Sequence, residues 1–333
     1  MTRTLDPAPD SAIDPATGAP RYGSYRGSIP AVDLRALTPS PLTRIARHKH
    51  WLYVTASTDA VFVAVAVVRL GYSATAFTYV YDAKAGKILA HASRIGPTLA
   101  CDVTDDARGV RARFALGASR FAVEKDPDGS LSLTVRVGEV TVDARLDASA
   151  APPPITAVAR VPGGVVDVTE KRALLAARGR VAVGAREFPL DGGVGGFDLT
   201  QGVLARHTVW RWAFALGRTV EGVPFGMNLV RGFAGEAECA LWIGDALVPV
   251  GEGIIAYDRD DPRAPWRVRT ECGAVDLTFT PRDFHREEKR LVVVSSRFVQ
   301  GVGAYEGVVR APGRDPLAIA GVLGVTEDQD TRW

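Results

Sequence analysis

The sequence predicts an all-β protein made of two strand-rich halves. Short runs rich in Val, Phe, Tyr and Thr recur from Trp51 onward, and each run is closed by Gly, Pro or Asp. Turn signals such as DAKAGK and DPDG separate these runs, because Asp and Gly adopt the left-handed backbone conformations of tight turns. Helical periodicity with caps is nearly absent, and TEKRALLAARG is the one segment rich in helix-forming residues. We therefore predict antiparallel strands joined by short turns, with at most one or two short helices.

Length and one proline-rich break set the predicted domains. A chain of 333 residues exceeds the usual size of a single domain. The segment DASAAPPPI, residues 147–155, is the strongest break, because consecutive prolines lack amide donors and cannot lie inside a sheet ladder. We predict a loose tail over residues 1–24, a first β-domain over 25–165 and a second over 166–333. About ten strands in each half are enough to close two barrels, or to form two curved sheets packed side by side.

Composition excludes several functional classes. The formal net charge of +2 and the dispersed Lys and Arg residues give no footprint for a nucleic-acid backbone. The longest apolar run, residues 61–70, is too short to span a bilayer, and the N-terminus lacks the apolar core of a signal peptide. Cys101, Cys239 and Cys272 are far apart, which argues against a disulfide framework. We expect a cytoplasmic protein without stable membrane insertion, and its oligomeric state stays open.

An ordered set of motifs gives the second half a recognisable pattern. In chain order its members are Thr169-x-Lys171, Gly179, Phe197-Asp198-x-Thr200-x-Gly202, Arg206-x-Thr208-x-Trp210-Arg211-Trp212-Ala213, Gly226-x-Asn228-Leu229, Gly232-Phe233, Glu238 before Leu241-Trp242, Pro265-Trp266, Val275-Asp276-Leu277-x-Phe279-x-Pro281, Ser296-x-Phe298-x-Gln300, Gly303-x-Tyr305-x-Gly307, and Gly324-x-x-Glu327 before Trp333. The set resembles an uncharacterised bacterial family built on a domain of unknown function. The resemblance covers nearly all of residues 166–333 and, more weakly, the first half.

That family is similar to the carotenoid 1,2-hydratase, tocopherol cyclase and AttH proteins, a group of paired lipocalin-like barrels. The resemblance implies two lipocalin-like, calycin-type antiparallel barrels, and it implies relatives that protonate alkenes without a cofactor. Two departures limit it. This chain has Gln201 where the family pattern tends to have Arg, and His207 does not fit the His-x-Trp signature of the hydratases with Trp210. The resemblance therefore carries the architecture and not the relatives' catalytic residues.

Strand alternation places aromatic side chains together in the second half. Trp210, Trp212 and Phe214 share one face of a predicted strand with Arg206 and Thr208. One interpretation is the wall of an apolar pocket, where indole faces stabilise a carbocation. The other is a barrel core filled by large rings, which is the commoner role of aromatic strand residues. Both interpretations stay open at this stage.

Asp198 and Glu238 are the predicted catalytic residues. Each lies among small and apolar residues, in GGFDLTQG and GEAECALW. A carboxyl group in an apolar wall has a raised pKa and can stay protonated near neutral pH, as a general acid requires. The alternatives are structural: Asp198 would bond to backbone amides in a turn, and Glu238 would form an ion pair with Arg206 or Arg231.

The remaining candidates are ligand-binding residues that combine aromatic rings with a few polar groups. They are Arg206, Trp210, Trp212, Asn228, Trp242, Phe298, Gln300 and Glu327. No metal site is predicted. The histidines are scattered, and His48 and His50 share a strand face but lack an obvious third ligand.

These observations lead to a predicted hydratase or cyclase that needs no cofactor. It would act on a hydrophobic small molecule, isoprenoid-like or polyketide-like, by acid-catalysed alkene chemistry. The alternative is a non-catalytic carrier of a lipid or pigment, because fold alone does not separate binders from catalysts. A purely structural module would instead have both interiors plugged by their own side chains. The density of motifs favours the second half, or the seam between the halves, as the site.

Overall fold

The structure is a computed structural model that describes residues 3–30, 32–38, 40–106, 108–290 and 295–333. Strands make up 63% of the described residues and helices 5%, which confirms the all-β prediction. The chain divides into two compact units, one spanning Pro7–Arg206 and the other spanning His207–Trp333 together with the residues up to Asp6. Cys101, Cys239 and Cys272 are all free thiols. No helix in the described part of the chain is long and apolar enough to cross a membrane.

The first unit is built on a nearly closed barrel sheet. Its elements are β1 (Asp6–Pro7), β2 (Gly23–Arg26), α1 (Pro41–Arg47), β3 (His48–Ser57), β4 (Val61–Arg69), β5 (Ala74–Asp82), β6 (Lys87–Gly96), β7 (Cys101–Asp106), β8 (Gly109–Leu116), β9 (Ser119–Lys125), β10 (Leu131–Val137), β11 (Val140–Asp147), β12 (Ile155–Ala159), β13 (Val166–Val183), β14 (Arg186–Pro189) and β15 (Gly193–Val203), with 3-10 turns at Arg35–Leu37 and Thr98–Ala100. The strands of the barrel lie in the order β6-β5-β4-β3-β15-β13-β11-β10-β9-β8-β7.

Alternation of side chains fills the barrel of the first unit. In β10, Leu131, Leu133, Val135 and Val137 are buried while the residues between them are not. Phe114 of β8 and Phe121 of β9 meet edge to face, with ring centroids 6.1 Å apart. One face of each strand therefore forms the core, as the strand pattern predicts.

The segment richest in helix formers, residues 169–179, is not helical. It belongs to β13, which pairs with β11 and β12 on one side and with β15 on the other. A bulge between Arg172 and Leu175 absorbs the irregular part, and Leu174 takes a left-handed conformation with a φ of 65°. Cross-strand pairing on both edges overrides the helix propensity of this segment. Among the described residues, the α-helix is instead α1, which begins with Pro41 after the N-cap Ser40.

The N-terminal segment differs in part from the predicted loose tail. β2 pairs with β12, and Ala12, Ile13 and Ile29 are buried in a small apolar cluster with Val158 and others. A segment that reads as polar and proline-rich therefore still buries some of its apolar side chains, because the edge of β12 and the face beside it are available. Ala12, Ile13 and Ile29 thus tie part of this segment to the first unit, and the loose tail over residues 1–24 stays a prediction.

The border between the units also differs from the predicted border after residue 165. The proline-rich segment lies inside the first unit, since β12 and β13 pair as a hairpin beyond it. The buried guanidinium group of Arg172 donates to the carbonyl oxygens of Pro152 at 3.2 Å, Asp128 at 3.0 Å and Ala148 at 3.1 Å. These hydrogen bonds fix the proline-rich loop within the first unit. The break in composition therefore marks a turn and not a border between units. The units divide between Arg206 and His207.

The second unit is a curled half-barrel sheet. Its elements are β16 (His207–Arg218), β17 (Pro224–Gly232), a 3-10 turn (Gly235–Glu238), β18 (Ala240–Ile243), β19 (Ala246–Pro249), β20 (Gly253–Ala256), β21 (Trp266–Thr270), β22 (Val275–Arg290), β23 (Ser295–Val309) and β24 (Leu317–Arg332). They lie in the order β19-β18-β17-β16-β24-β23-β22-β21-β20, and the pairs of neighbours are antiparallel.

Candidate functional site

A cavity of about 340 Å³ lies in the first unit. This volume is within the range of small-molecule sites. Strands β3, β4, β7 and β15 contribute His48, His50, Arg69, Val103, Asp105 and Gln201 to its walls. The segment that leads into β3 adds Val32, Asp33, Arg35, Arg44 and Ile45. A smaller cavity shares Val32, Asp105 and Gln201 and is also lined by Lys125 and Glu170.

Three polar side chains form a row across neighbouring strands at this cavity. In the antiparallel register, His50 of β3 lies opposite Gln201 of β15 on one side and opposite Arg69 of β4 on the other. Directly opposite residues share a face, so the three side chains point to the same side of the sheet. Gln201 Nε2 donates to the carbonyl oxygen of Val32 at 3.2 Å. Gln201, which stands where the family pattern tends to have Arg, is thus part of the cavity wall.

The two histidines of the cavity are neutral at pH 7. Burial lowers the pKa of His50 to about 3, and the nearby His48 and Arg69 add to the effect. Burial likewise lowers the pKa of His48 to about 4, with further contributions from Arg69, Lys49 and Arg44. The Nε2 atoms of both histidines are buried, and no described residue forms a hydrogen bond with either atom. Each is therefore a buried polar atom without a hydrogen bond among the described residues.

Asp105 is the carboxyl group that lines both cavities. Burial raises its pKa to about 7; the charges of Glu170 and Asp106 add to the rise, and Lys125 opposes it. Lys125 Nζ is 3.1 Å from Glu170 Oε2, so the ammonium charge of Lys125 is paired mainly with Glu170 and lowers the pKa of Asp105 less. Asp105 therefore carries its proton in a substantial fraction of molecules at neutral pH.

Asp198, predicted as a catalytic acid, lies on β15 in a buried ion pair. Its Oδ1 atom is 2.5 Å from Lys171 Nζ. The hydroxyl groups of Thr200 and Thr169 donate to the same oxygen at 2.8 Å and 3.4 Å. The motif residues Thr169, Lys171, Asp198 and Thr200 thus come together as one cluster.

In the second unit, the predicted ligand-binding residues form two hydrogen-bonded groups. Trp210 Nε1 donates to Glu327 Oε1 at 2.7 Å, and Gln300 Nε2 donates to Glu327 Oε2 at 2.7 Å. Gln300 is fully buried and Glu327 is nearly so. Both carboxylate oxygens of Glu327 are therefore occupied by protein donors.

The second group joins the other predicted tryptophan to the predicted glutamate. Trp212 Nε1 donates to Asn228 Oδ1 at 2.7 Å, and Asn228 Nδ2 donates to the backbone carbonyl of Glu238 at 2.9 Å. Trp212 stacks on Phe214 with centroids 5.3 Å apart, and all four side chains are buried. These contacts match the packed-core interpretation of the aromatic face.

The other predicted residues lie apart from these groups or at their margin. Trp242 is fully buried on β18, where its register partner on β17 is Gly226. Phe298 of β23 meets the ring of His285 edge to face at 5.7 Å. Arg206 is exposed at the end of the first unit, near enough to act electrostatically on Tyr72.

Sequence reasoning missed Asp105, Arg69 and the role of the histidines. The signal for Asp105 is the alternation in CDVTDD, which places Asp105 on the same face as Cys101 and Val103. A carboxyl group on the apolar face of a strand is a candidate for a perturbed pKa. The signal for the histidines is their shared face, which sequence reasoning considered only for metal binding. No group of three or more His, Cys, Asp and Glu side chains within the described residues is arranged to hold a metal ion.

The two curved antiparallel sheets have a lipocalin-like fold. The chain belongs to the family of the domain of unknown function DUF2804, whose model matches residues 11–333. This membership confirms the predicted family resemblance. No curated protein sequence matches the chain.

Solved structures share the fold at low sequence identity. An AttH candidate from Nitrosomonas europaea is 14% identical, with 85% of this chain and 92% of that chain covered and a TM-score of 0.50. CghA in complex with Sch210972 is 12% identical, with coverage of 86% and 89% and a TM-score of 0.57. Kievitone hydratase from Nectria haematococca is 11% identical, with coverage of 88% and 92% and a TM-score of 0.52. At such identities the likeness establishes the fold alone.

Proposed function

We propose that this protein is a hydratase or cyclase that acts on a small, largely apolar alkene in the cavity of the first unit. The observation that carries the proposal is Asp105, a cavity-lining carboxyl group whose pKa burial raises to about 7. A general acid works best when its pKa lies near the working pH. The likeness in fold to kievitone hydratase supports this class of reaction.

In the proposed reaction, Asp105 donates its proton to one carbon of the alkene and becomes a carboxylate. The neighbouring carbon then gains a bond to water in hydration, or to a second alkene of the same molecule in cyclisation. Loss of one proton from that intermediate completes the product, and a proton returned to Asp105 restores the acid. The balance requires water alone and neither an oxidant nor a reductant.

Three features of the cavity support the assignment to this unit. Its volume is suited to a small molecule, and Val32, Ile45 and Val103 supply apolar wall. The unpartnered Nε2 atoms of His48 and His50 can orient a substrate oxygen or a water molecule. The catalytic roles predicted from sequence for Asp198 and Glu238 remain separate hypotheses, and the ion pair between Asp198 and Lys171 favours Asp105 over Asp198 as the acid.

The test follows the transferred proton by replacing it with deuterium. Purified protein is incubated in D₂O with a small-molecule extract of its source cells, and products are analysed by mass spectrometry for carbon-bound deuterium. Wild-type protein is expected to give products that carry one new carbon–deuterium bond, and Asp105→Asn is expected to give none. Asp102→Asn, on the exposed face of the same strand, is the matched control and should label like the wild type.

Equal labelling by wild type and Asp105→Asn would overturn the role of Asp105. A co-purified ligand that returns intact and unlabelled from wild-type protein would overturn the enzymatic proposal and favour the lipid or pigment carrier. A folded state for each variant, checked by circular dichroism, makes the comparison valid.

A further inference from the structure

The charges around the cavity of the first unit do not balance. The charged or titratable side chains that line it are Asp33, Arg35, Arg44, His48, His50, Arg69 and Asp105. Asp33 and Arg35 neutralise each other through a bidentate pair, with Arg35 Nη2 2.6 Å from Asp33 Oδ2. The histidines are neutral, and Asp105 carries its proton in about half of the molecules near pH 7. Arg44 and Arg69 therefore leave excess positive charge.

Arg69 is the more available of the two arginines. Arg44 donates to the carbonyl oxygen of Thr38 at 3.2 Å. Arg69 forms no hydrogen bond or ion pair with any residue that the structure describes, although its charge reaches His48, His50 and the thiol of Cys101. It lies directly across the strand pair from His50, whose side chain is 95% buried and whose Nε2 atom no described residue contacts by a hydrogen bond.

Arg44 and Arg69 are both exposed, so water weakens their charge, but the excess at the cavity still opposes the proposed chemistry. Protonation of an alkene develops positive charge on the substrate, and a nearby unmatched guanidinium group disfavours that charge by like-charge repulsion. An anionic group on the substrate removes the conflict, because it pairs with the arginine before the proton is transferred. A guanidinium group also suits carboxylates in particular, since its fork of donors matches two carboxylate oxygens.

We propose that the substrate is an organic acid, an apolar frame bearing one carboxylate, and that Arg69 and His50 bind this carboxylate at the cavity wall. Arg69 supplies the charge and two donors. Neutral His50, in the tautomer with its proton on Nε2, supplies one further donor. The frame then occupies the rest of the cavity, whose lining includes Val103, Ile45 and Asp105. This inference rests on the proposed function, because it names the substrate class for the same cavity.

The test is an equilibrium binding measurement that is independent of turnover. Isothermal titration calorimetry compares 2-naphthoate with 2-naphthamide, two probes of nearly equal size that differ in charge. The wild type should bind the carboxylate at least about tenfold more tightly than the amide, as expected for charge-assisted hydrogen bonds. Arg69→Gln should abolish this preference and leave the affinity for the amide within about twofold of the wild type.

Arg178→Gln is the matched control, since Arg178 is an exposed strand arginine of the same unit that does not line the cavity. It should keep the full preference for the carboxylate. An unchanged preference in Arg69→Gln, equal affinity of the two probes for the wild type, or no binding of the carboxylate would each overturn the inference. None of these outcomes affects the deuterium test, which reports bond formation dependent on Asp105, so the two proposals fail separately.

Discussion

Lys171 and Asp198 form a buried ion pair on neighbouring strands, with Nζ and Oδ1 2.5 Å apart. Two threonine hydroxyl groups donate to the same carboxylate oxygen. The cluster joins two motifs that are far apart in the sequence. We interpret the motif residues at these positions as an internal contact between β13 and β15.

Asp198→Asn should destabilise the protein by about 3–5 kcal/mol, because it removes the negative charge beside the buried ammonium group of Lys171. Urea unfolding at pH 7 measures the loss. The double variant Lys171→Met with Asp198→Leu should recover much of the stability, since it removes both charges. Deuterium labelling, measured per folded molecule, then distinguishes a structural role of Asp198 from a catalytic one. Labelling that persists in Asp198→Asn assigns the residue to structure, whereas labelling lost from the folded variant would support the acid predicted from sequence.

Asp105 should make the stability of the wild type decrease as the pH rises. Its pKa is about 7 in the folded state and near 3.9 in the unfolded chain. Between these values the unfolded chain has released a proton that the folded chain retains, so the free energy of unfolding falls by up to about 1.4 kcal/mol per pH unit. Asp105→Asn should therefore be more stable than the wild type at pH 8, with the difference vanishing near pH 4. If Asp102→Asn gave the same profile, the effect would not belong to the cavity.

His50 should act in the opposite direction. Its pKa is about 3 in the folded state and near 6.5 in the unfolded chain, so the unfolded chain takes up a proton first as the pH falls. The contribution of His50 to stability is complete above about pH 6.5 and is lost at about 1.4 kcal/mol per pH unit as the pH falls towards 3. In His50→Gln this loss should disappear from unfolding curves taken between pH 4 and pH 7. His91→Gln, an exposed substitution of the same type, should leave the wild-type slope intact.

The hydrogen bond from Trp212 to Asn228, which in turn donates to the backbone of Glu238, should appear as a coupling energy between Trp212 and Asn228. Asn228→Leu keeps the approximate volume but removes both partners at once, so it should cost about 2–4 kcal/mol. Adding Trp212→Phe to that variant should cost less than Trp212→Phe alone, because no buried indole N–H then lacks its acceptor. A double-mutant cycle by urea unfolding measures the coupling. Simple additivity would mean that the indole finds another acceptor.

Arg172 should determine whether the proline-rich loop stays closed. Its guanidinium group bonds to carbonyl oxygens of Pro152, Asp128 and Ala148. Arg172→Met should cost about 3 kcal/mol and open residues 147–155 to proteolysis, since buried carbonyl groups lose their donors. Arg178→Met, on the exposed face of the same strand, should leave both the stability and the cleavage pattern unchanged. Equal cleavage in the two variants would show that other contacts hold the loop.

The local pattern of the chain was sufficient for much of the fold. Alternation in LSLTVRV identifies the inner face of β10, and alternation in HTVWRWAF places Trp210 and Trp212 on one side of β16. These assignments hold because a strand has a fixed period of two and one face of each is apolar. Period alone does not show which strand lies beside which. It left the segment at residues 169–179 ambiguous, and pairing on both edges of β13 resolved it as a strand.

The sequence by itself determined that the protein is built from strands and which face of many strands turns inward. Only the tertiary structure decided where the cavity lies and what surrounds it. Gln201, His50 and Arg69 are brought into one row by the register of β15, β3 and β4, which depends on the whole sheet. The raised pKa of Asp105 likewise depends on burial by segments distant in the chain. A side chain's face is a local property of its strand, whereas its neighbours and its protonation arise from contacts that form only when the barrel closes.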